Sequence, residues 1–139
     1  VGCGNIGGRH LQSLLDFQNI ALDITVVEPN KITLNNAKSI FSTDDLHHNL
    51  TWVSNILDLT DSYDFTIVAT QATNRIQLVN QLLAKGNSRF LIEKMVCQSI
   101  SEYKKILECF KKYDAKGWVN TNFRYFPCFR GFTGFTDFA

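Results

Sequence analysis

The chain has no apolar run near the ~20 residues that a membrane-spanning helix needs, which speaks against a membrane protein. It has no excess of either charge, with 14 Lys and Arg against 13 Asp and Glu and a net charge of +1. Electrostatic capture of nucleic acid or of an anionic membrane is therefore not expected. Its four cysteines, Cys3, Cys97, Cys109 and Cys128, form no C-x-x-C pair and no zinc spacing. They read as reduced thiols of a cytoplasmic protein. His47 and His48 lie in a polar stretch without companions at metal-ligand spacing, and no residue is assigned to a metal. A G-x-S-x-G elbow and internal repeats are also missing.

What is present is an alternation. The 139 residues fit one domain, and the hydrophobic share of 45% is ordinary for a globular core. Helical periodicity runs from Asn5 to Phe17, with Leu11, Leu14 and Leu15 in phase. A β-branched strand follows at Asp23–Val27, then a short helix over Lys31–Ser39, a polar loop over Asp44–Asn49 and a short strand at Leu50–Val53. The near-continuous apolar run Asp64–Ala69 reads as a strand covered on both faces. Thr73–Lys85 is a helix ended by Gly86. Arg89–Lys94 is a strand, and the next helix is capped near Ser99 or Ser101, with Tyr103, Ile106, Leu107 and Phe110 as its buried stripe. Gly117–Asn122 is a last strand. Strands alternating with helices predict an α/β fold, a doubly wound parallel sheet of the Rossmann kind.

The chain opens on Gly2-x-Gly4-x-x-Gly7, directly before the first helix. Glycines at this spacing permit a tight turn, close approach of the backbone to a pyrophosphate, and close seating of the helix on the sheet. The N–H groups of Asn5, Ile6 and Gly7 then offer the positive end of the helix to phosphates. The turn should follow a strand, yet only Val1 precedes it, so the sequence reads as a fragment lacking its first strand. Glu28 closes the second strand about 20 positions beyond the last motif glycine, where an acidic side chain accepts hydrogen bonds from the adenosine ribose hydroxyls. Its charge disfavours a 2′-phosphate, which selects NAD over NADP. The plainer reading of Glu28 is a surface residue in the turn before Pro29.

Ligands of an open parallel sheet bind at the carboxyl ends of its strands. Thr70 and Gln71 stand at one such end, either lining a cofactor crevice or simply forming the turn into a helix. Glu93 and Lys94 stand at another, after the apolar Phe90-Leu91-Ile92. Charges there need a partner or a use. Lys94 is either an acid–base group for a substrate hydroxyl or half of an exposed ion pair of little worth. His10, one turn into the first helix, reads as a packing or capping residue. Phe123, Phe126, Phe129, Phe132, Phe135 and Phe138 recur every third residue. They form either an aromatic recognition strip or, preferably, the entry to a second domain.

These stretches, in their order, resemble the Gfo/Idh/MocA oxidoreductases. Gly2-x-Gly4-x-x-Gly7-x-x-His10 resembles the family's opening turn. Ile67-Val68-Ala69-Thr70 with Arg75 resembles its V-A-T-P…H stretch, Leu91-Ile92-Glu93-Lys94 its E-K-P signature, and Val119 to Pro127 its N-x-R-x-x-P stretch. Met95 and Gln71 replace prolines of the pattern, and Arg75 stands where His is common. The resemblance implies a dinucleotide-binding domain over residues 1–122 and, over residues 123–139, the start of a connection to a C-terminal substrate domain. It implies Lys94 as catalytic lysine, Glu28 as ribose ligand, and Glu93, Asn122 and Arg124 near the nicotinamide. The whole enzyme would be a homo-oligomer moving hydride between NAD and a sugar, sugar-nucleotide or polyol. Two alternatives use the same glycine turn. An S-adenosylmethionine methyltransferase is disfavoured by Glu93-Lys94 and by Asn122-x-Arg124, and a non-catalytic nucleotide-binding protein would have no need of Lys94.

Overall fold

The computed structural model of the protein describes residues 1–41 and 47–121. The phenylalanine repeat, Cys128, Asn122 and Arg124 lie outside them, as do residues 44–46 of the polar loop before β2; Asn49, expected in that loop, is the first residue of β2. Helices α1 (Asn5–Leu15), α2 (Lys31–Ile40), α3 (Arg75–Ala84) and α4 (Ile100–Lys112) alternate with strands β1 (Asp23–Val27), β2 (Asn49–Val53), β3 (Thr66–Val68), β4 (Arg89–Glu93) and β5 (Lys116–Asn120). A 3₁₀ turn at Ile56–Asp58 precedes β3; no periodic pattern announces it.

Local chemistry explains the element ends. The Asn30 side chain accepts from the N–H groups of Ile32 and Thr33 and opens α2. Ser99 accepts from the Glu102 N–H and opens α4, while the Glu102 carboxylate reaches back to the Gln98 N–H, an arrangement close to a capping box. Beyond α3, Gly86 takes φ +88°, the left-handed exit that glycine allows.

All strand pairs are parallel. β1 pairs with β2, and β3, β4 and β5 form a second sheet in that order. β1 and β3 do not pair with each other. Val1 and Gly2 join them: the Val1 nitrogen donates to the Ile67 carbonyl at 2.6 Å, the Ala69 N–H donates to the Val1 carbonyl at 2.8 Å, and the Gly2 N–H donates to the Val27 carbonyl at 2.9 Å. Below this joint, a cleft of about 940 Å³ runs between the strands, lined by Leu11, Ile24, Val26 and Ile67 among others.

Successive strand side chains point to opposite faces, and the core divides accordingly. Val26 packs with Cys3, Leu11 and Ala37 under α1 and α2. Its neighbour Val27 joins Val68, Phe90 and Ile92 against Val79, Leu82 and Leu83 of α3 and Ile106 and Phe110 of α4. Helices thus cover both faces, as expected of the doubly wound form. Two expectations need correction. The buried stripe of α4 is narrower than periodicity suggests: of its four residues, Tyr103 and Leu107 are exposed and Ile106 and Phe110 are buried. The strand at Asp64–Ala69 shortens to Thr66–Val68, with Phe65 exposed and its ring 6.2 Å from that of Trp118. Among the described residues no helix is long and apolar enough to cross a membrane.

Candidate active site

Of the predicted residues, the glycine turn, Glu28, Thr70 and Glu93 come together at the carboxyl ends of β1, β3 and β4, around the start of α1. Gly2 takes φ +82°, and a Cβ on Gly7 would lie 1.8 Å from the Gly2 carbonyl oxygen. The turn therefore closes only if Gly7 has no side chain. Around Gly4 the opposite holds: a Cβ there would find no atom within 4 Å. Gly4 is the N-cap of α1, has no capping side chain, and no acidic residue occupies the first turn. The helix N–H groups of this turn are left open to an anion. An unblocked approach over Gly4 and an uncapped positive helix end are what a pyrophosphate requires, so the residues present fit a dinucleotide.

Glu28 is 8% exposed and is no simple surface residue. Its Oε2 accepts from the Cys3 N–H at 2.8 Å and its Oε1 from the Asn30 N–H at 2.9 Å. The carboxylate thus ties β1 to the glycine turn, and each oxygen keeps a lone pair for a further donor. Burial and the Glu28 charge push the Cys3 thiol up from its ordinary value, which keeps it protonated and inert.

Thr70 abuts the turn, since a Cβ on Gly2 would meet its Cγ2 and its nitrogen at 3.0 Å. The Thr70 hydroxyl oxygen is buried and has no hydrogen-bond partner among the described residues. Gln71 is exposed. At the end of β4, Glu93 is 7% exposed. Its Oε1 lies 2.7 Å from His10 Nε2 of α1 and also accepts from Asn120 Nδ2 of β5. Asn120 is its register partner across the ladder. Burial by itself raises the Glu93 pKa, but the hydrogen bonds from Asn120 and His10 outweigh it and hold the carboxyl below its ordinary value of 4.5. Lys94 follows at the exposed crest, and the Lys94–Met95 peptide is cis.

The depressed Glu93 pKa has a sign that can be tested. A carboxylate favoured in the folded state stabilises it above the unfolded pKa and loses that contribution as pH falls through the folded value. Asn120→Ala removes one donor and lessens the depression. Its melting temperature is expected to lie below that of the parent at neutral pH, and the gap to narrow as pH drops below about 4.5. Thermal melts of both proteins across this range check it; a gap constant with pH would detach Asn120 from the Glu93 charge.

Three participants are given no site role by the sequence reading. His10 stands between the buried Gly7 and Leu11 of α1, so its place on the inner helix face was the available signal. Asn120 is visible only once β4 and β5 are in register. Arg75 is 2% exposed and donates through Nη1 to the carbonyls of Glu93, at 2.5 Å, and Met95, and through Nη2 to that of Thr70. Its signal was a cation in the first turn of a helix, where the dipole disfavours one.

A parallel sheet with helices on both faces, an uncapped glycine turn and an acidic residue closing β1 define a dinucleotide-binding domain. Residues 1–121 match the model of the oxidoreductase family with an NAD-binding Rossmann fold, and the chain belongs to this Gfo/Idh/MocA family. No curated protein matches it. Among solved structures, the WlbA dehydrogenase of Bordetella pertussis, in complex with NADH and UDP-GlcNAcA, superposes with a TM-score of 0.78 at 15% identity, over 93% of this chain and 37% of that one. The scyllo-inositol dehydrogenase of Lactobacillus casei, with bound NAD(H) and scyllo-inositol, gives 0.72 at 15% identity over 93% and 37%. A Gfo/Idh/MocA oxidoreductase of Vibrio cholerae gives 0.72 at 18% over 91% and 38%. The chain spans little more than a third of the length of each. Nothing in these likenesses supports the methyltransferase alternative.

Proposed function

We propose that the complete protein is an NAD-dependent dehydrogenase acting on a carbinol of a sugar, sugar-nucleotide or polyol. What supports the reading is the convergence of the uncapped glycine turn, Glu28 and Lys94 at one edge of the sheet. Gly4, Asn5, Ile6 and Gly7 would hold the pyrophosphate through main-chain N–H groups, and Gly2, whose own N–H is taken by the Val27 carbonyl, would shape the turn around it. Glu28 would accept from the ribose, and Thr70 and Gln71 would line the crevice. NAD, when bound, supplies the hydride acceptor. The Lys94 amine then takes the proton of the substrate hydroxyl or returns it in the reverse direction. Glu93, held by His10 and Asn120, keeps its own negative charge at the crest of β4. Asn122 and Arg124 belong to the same proposal and lie outside the described residues.

The test uses the complete protein and a panel of sugars, sugar-nucleotides and inositols, with NADH formation as the readout. Failure of every carbinol alongside tight NAD binding would favour a non-catalytic nucleotide-binding protein. Cofactor choice is checked by titration: Glu28→Ala is expected to weaken NAD binding by about 1–3 kcal/mol, the scale of charge-assisted hydrogen bonds. Tighter binding of NADP than NAD by the parent would overturn this assignment of Glu28.

A further inference from the structure

Arg75 is buried at the first residue of α3. The positive end of the helix disfavours a cation there, and burial of a charge is itself costly. It makes no salt bridge among the described residues. The two Nη atoms of its guanidinium donate to main-chain oxygens, the carbonyls of Glu93 and Met95, which flank Lys94, and that of Thr70 beyond β3, while the buried Nε has no partner among the described residues. A scaffold alone is served as well by an apolar side chain of similar volume. What only the rigid, planar fork provides is a fixed mutual placement of several acceptors. The side chain thereby ties the crest of β4 to the crest of β3, which abuts the glycine turn through Thr70.

We infer that Arg75 is a positioning residue for Lys94: by gripping the chain on both sides of it, Arg75 fixes where the lysine amine stands relative to a ligand on the glycine turn. The inference rests on the proposed role of Lys94. Displacing a reacting group by about 1 Å can slow a reaction about 10²-fold without touching the chemistry itself.

The experiment is a double-mutant cycle on the complete protein, comparing the parent with Arg75→Ala, Arg75→Lys, Lys94→Ala and Arg75→Ala/Lys94→Ala. Turnover, KM, the NAD dissociation constant and the melting temperature are measured for each. Arg75→Ala is expected to lower kcat about 10²-fold while NAD affinity stays near that of the parent. Added guanidinium ion restores part of the rate. Arg75→Lys does not rescue, because an ammonium lacks the planar fork. In the Lys94→Ala background the loss of Arg75 has no further effect on kcat, the signature of two residues acting as one unit. Equal losses in both backgrounds, or a lowered melting temperature with kcat intact, would overturn the inference and leave the role of Lys94 standing. Normal turnover in Lys94→Ala would overturn both. If Arg75→Ala does not fold, Arg75→Lys carries the comparison; failure of both to fold assigns Arg75 to the scaffold and overturns the inference too.

Discussion

Lys94→Ala in the complete protein is expected to cut turnover by about 10²–10⁴-fold, the usual contribution of a positioned acid–base group. The affinity for NAD should change little. The residues proposed to hold phosphates and ribose are the glycine turn and Glu28, and both belong to the half of the molecule around α1 and β1. A loss in kcat with KM nearly unchanged marks an interaction made in the transition state. Lys94→Arg should not restore the rate, since a guanidinium keeps its proton and differs in shape. Steady-state kinetics and a binding titration on the same preparations check both halves of the expectation. Near-normal turnover in Lys94→Ala would reduce the Glu93-Lys94 pair to a strand end and assign the acid–base role to another group.

The second large effect separates two glycines of one motif. Gly7→Ala places a methyl group 1.8 Å from the Gly2 carbonyl oxygen, and that oxygen is main chain, which cannot swing away. The turn must open, and with it go the Cys3–Glu28 bond and the seat of α1. NAD binding should become undetectable and the melting temperature should fall. Gly4→Ala meets no atom within 4 Å, so the fold should tolerate it, losing at most about 1 kcal/mol through the poorer N-cap. It nevertheless fills the space over which a pyrophosphate would approach. The expected pair of outcomes is loss of fold and binding at Gly7, and loss of binding alone at Gly4. Melting curves and NAD titrations of the two variants distinguish them. Undiminished NAD affinity in Gly4→Ala would remove the glycine turn from the binding site.

Much of this arrangement was legible because it is local. The bounds of β1 follow from a β-branched run stopped by Glu28-Pro29, and the exit of α3 follows from Gly86. The glycine spacing carries its own steric logic. The rest was not legible because it is made between distant parts of the chain. Periodicity marks Tyr103 and Leu107 as apolar and in phase with Ile106 and Phe110, but it cannot say how wide a stripe the sheet covers. His10 and Glu93 are separated by 83 positions, and nothing near either residue names the other. Arg75 bonds to main-chain oxygens, which every residue carries, so no side-chain pattern betrays its partners.

The two hydrogen bonds accepted by Glu28 bear on how cofactor preference can change. The carboxylate proposed to read the ribose is also the acceptor that fastens Cys3, so discrimination and architecture are vested in one group. A single substitution that removes the charge to admit a 2′-phosphate also gives up an acceptor: even glutamine keeps one oxygen for two N–H groups, so that of Cys3 or that of Asn30 is released, loosening the loop for either dinucleotide. Exchange of preference is therefore at least a two-site change: a replacement acceptor for that N–H has to be in place before a cationic side chain nearby can be of benefit. Glu28 is a bottleneck for redesign, and a route that begins with its removal passes through a variant that binds both cofactors poorly.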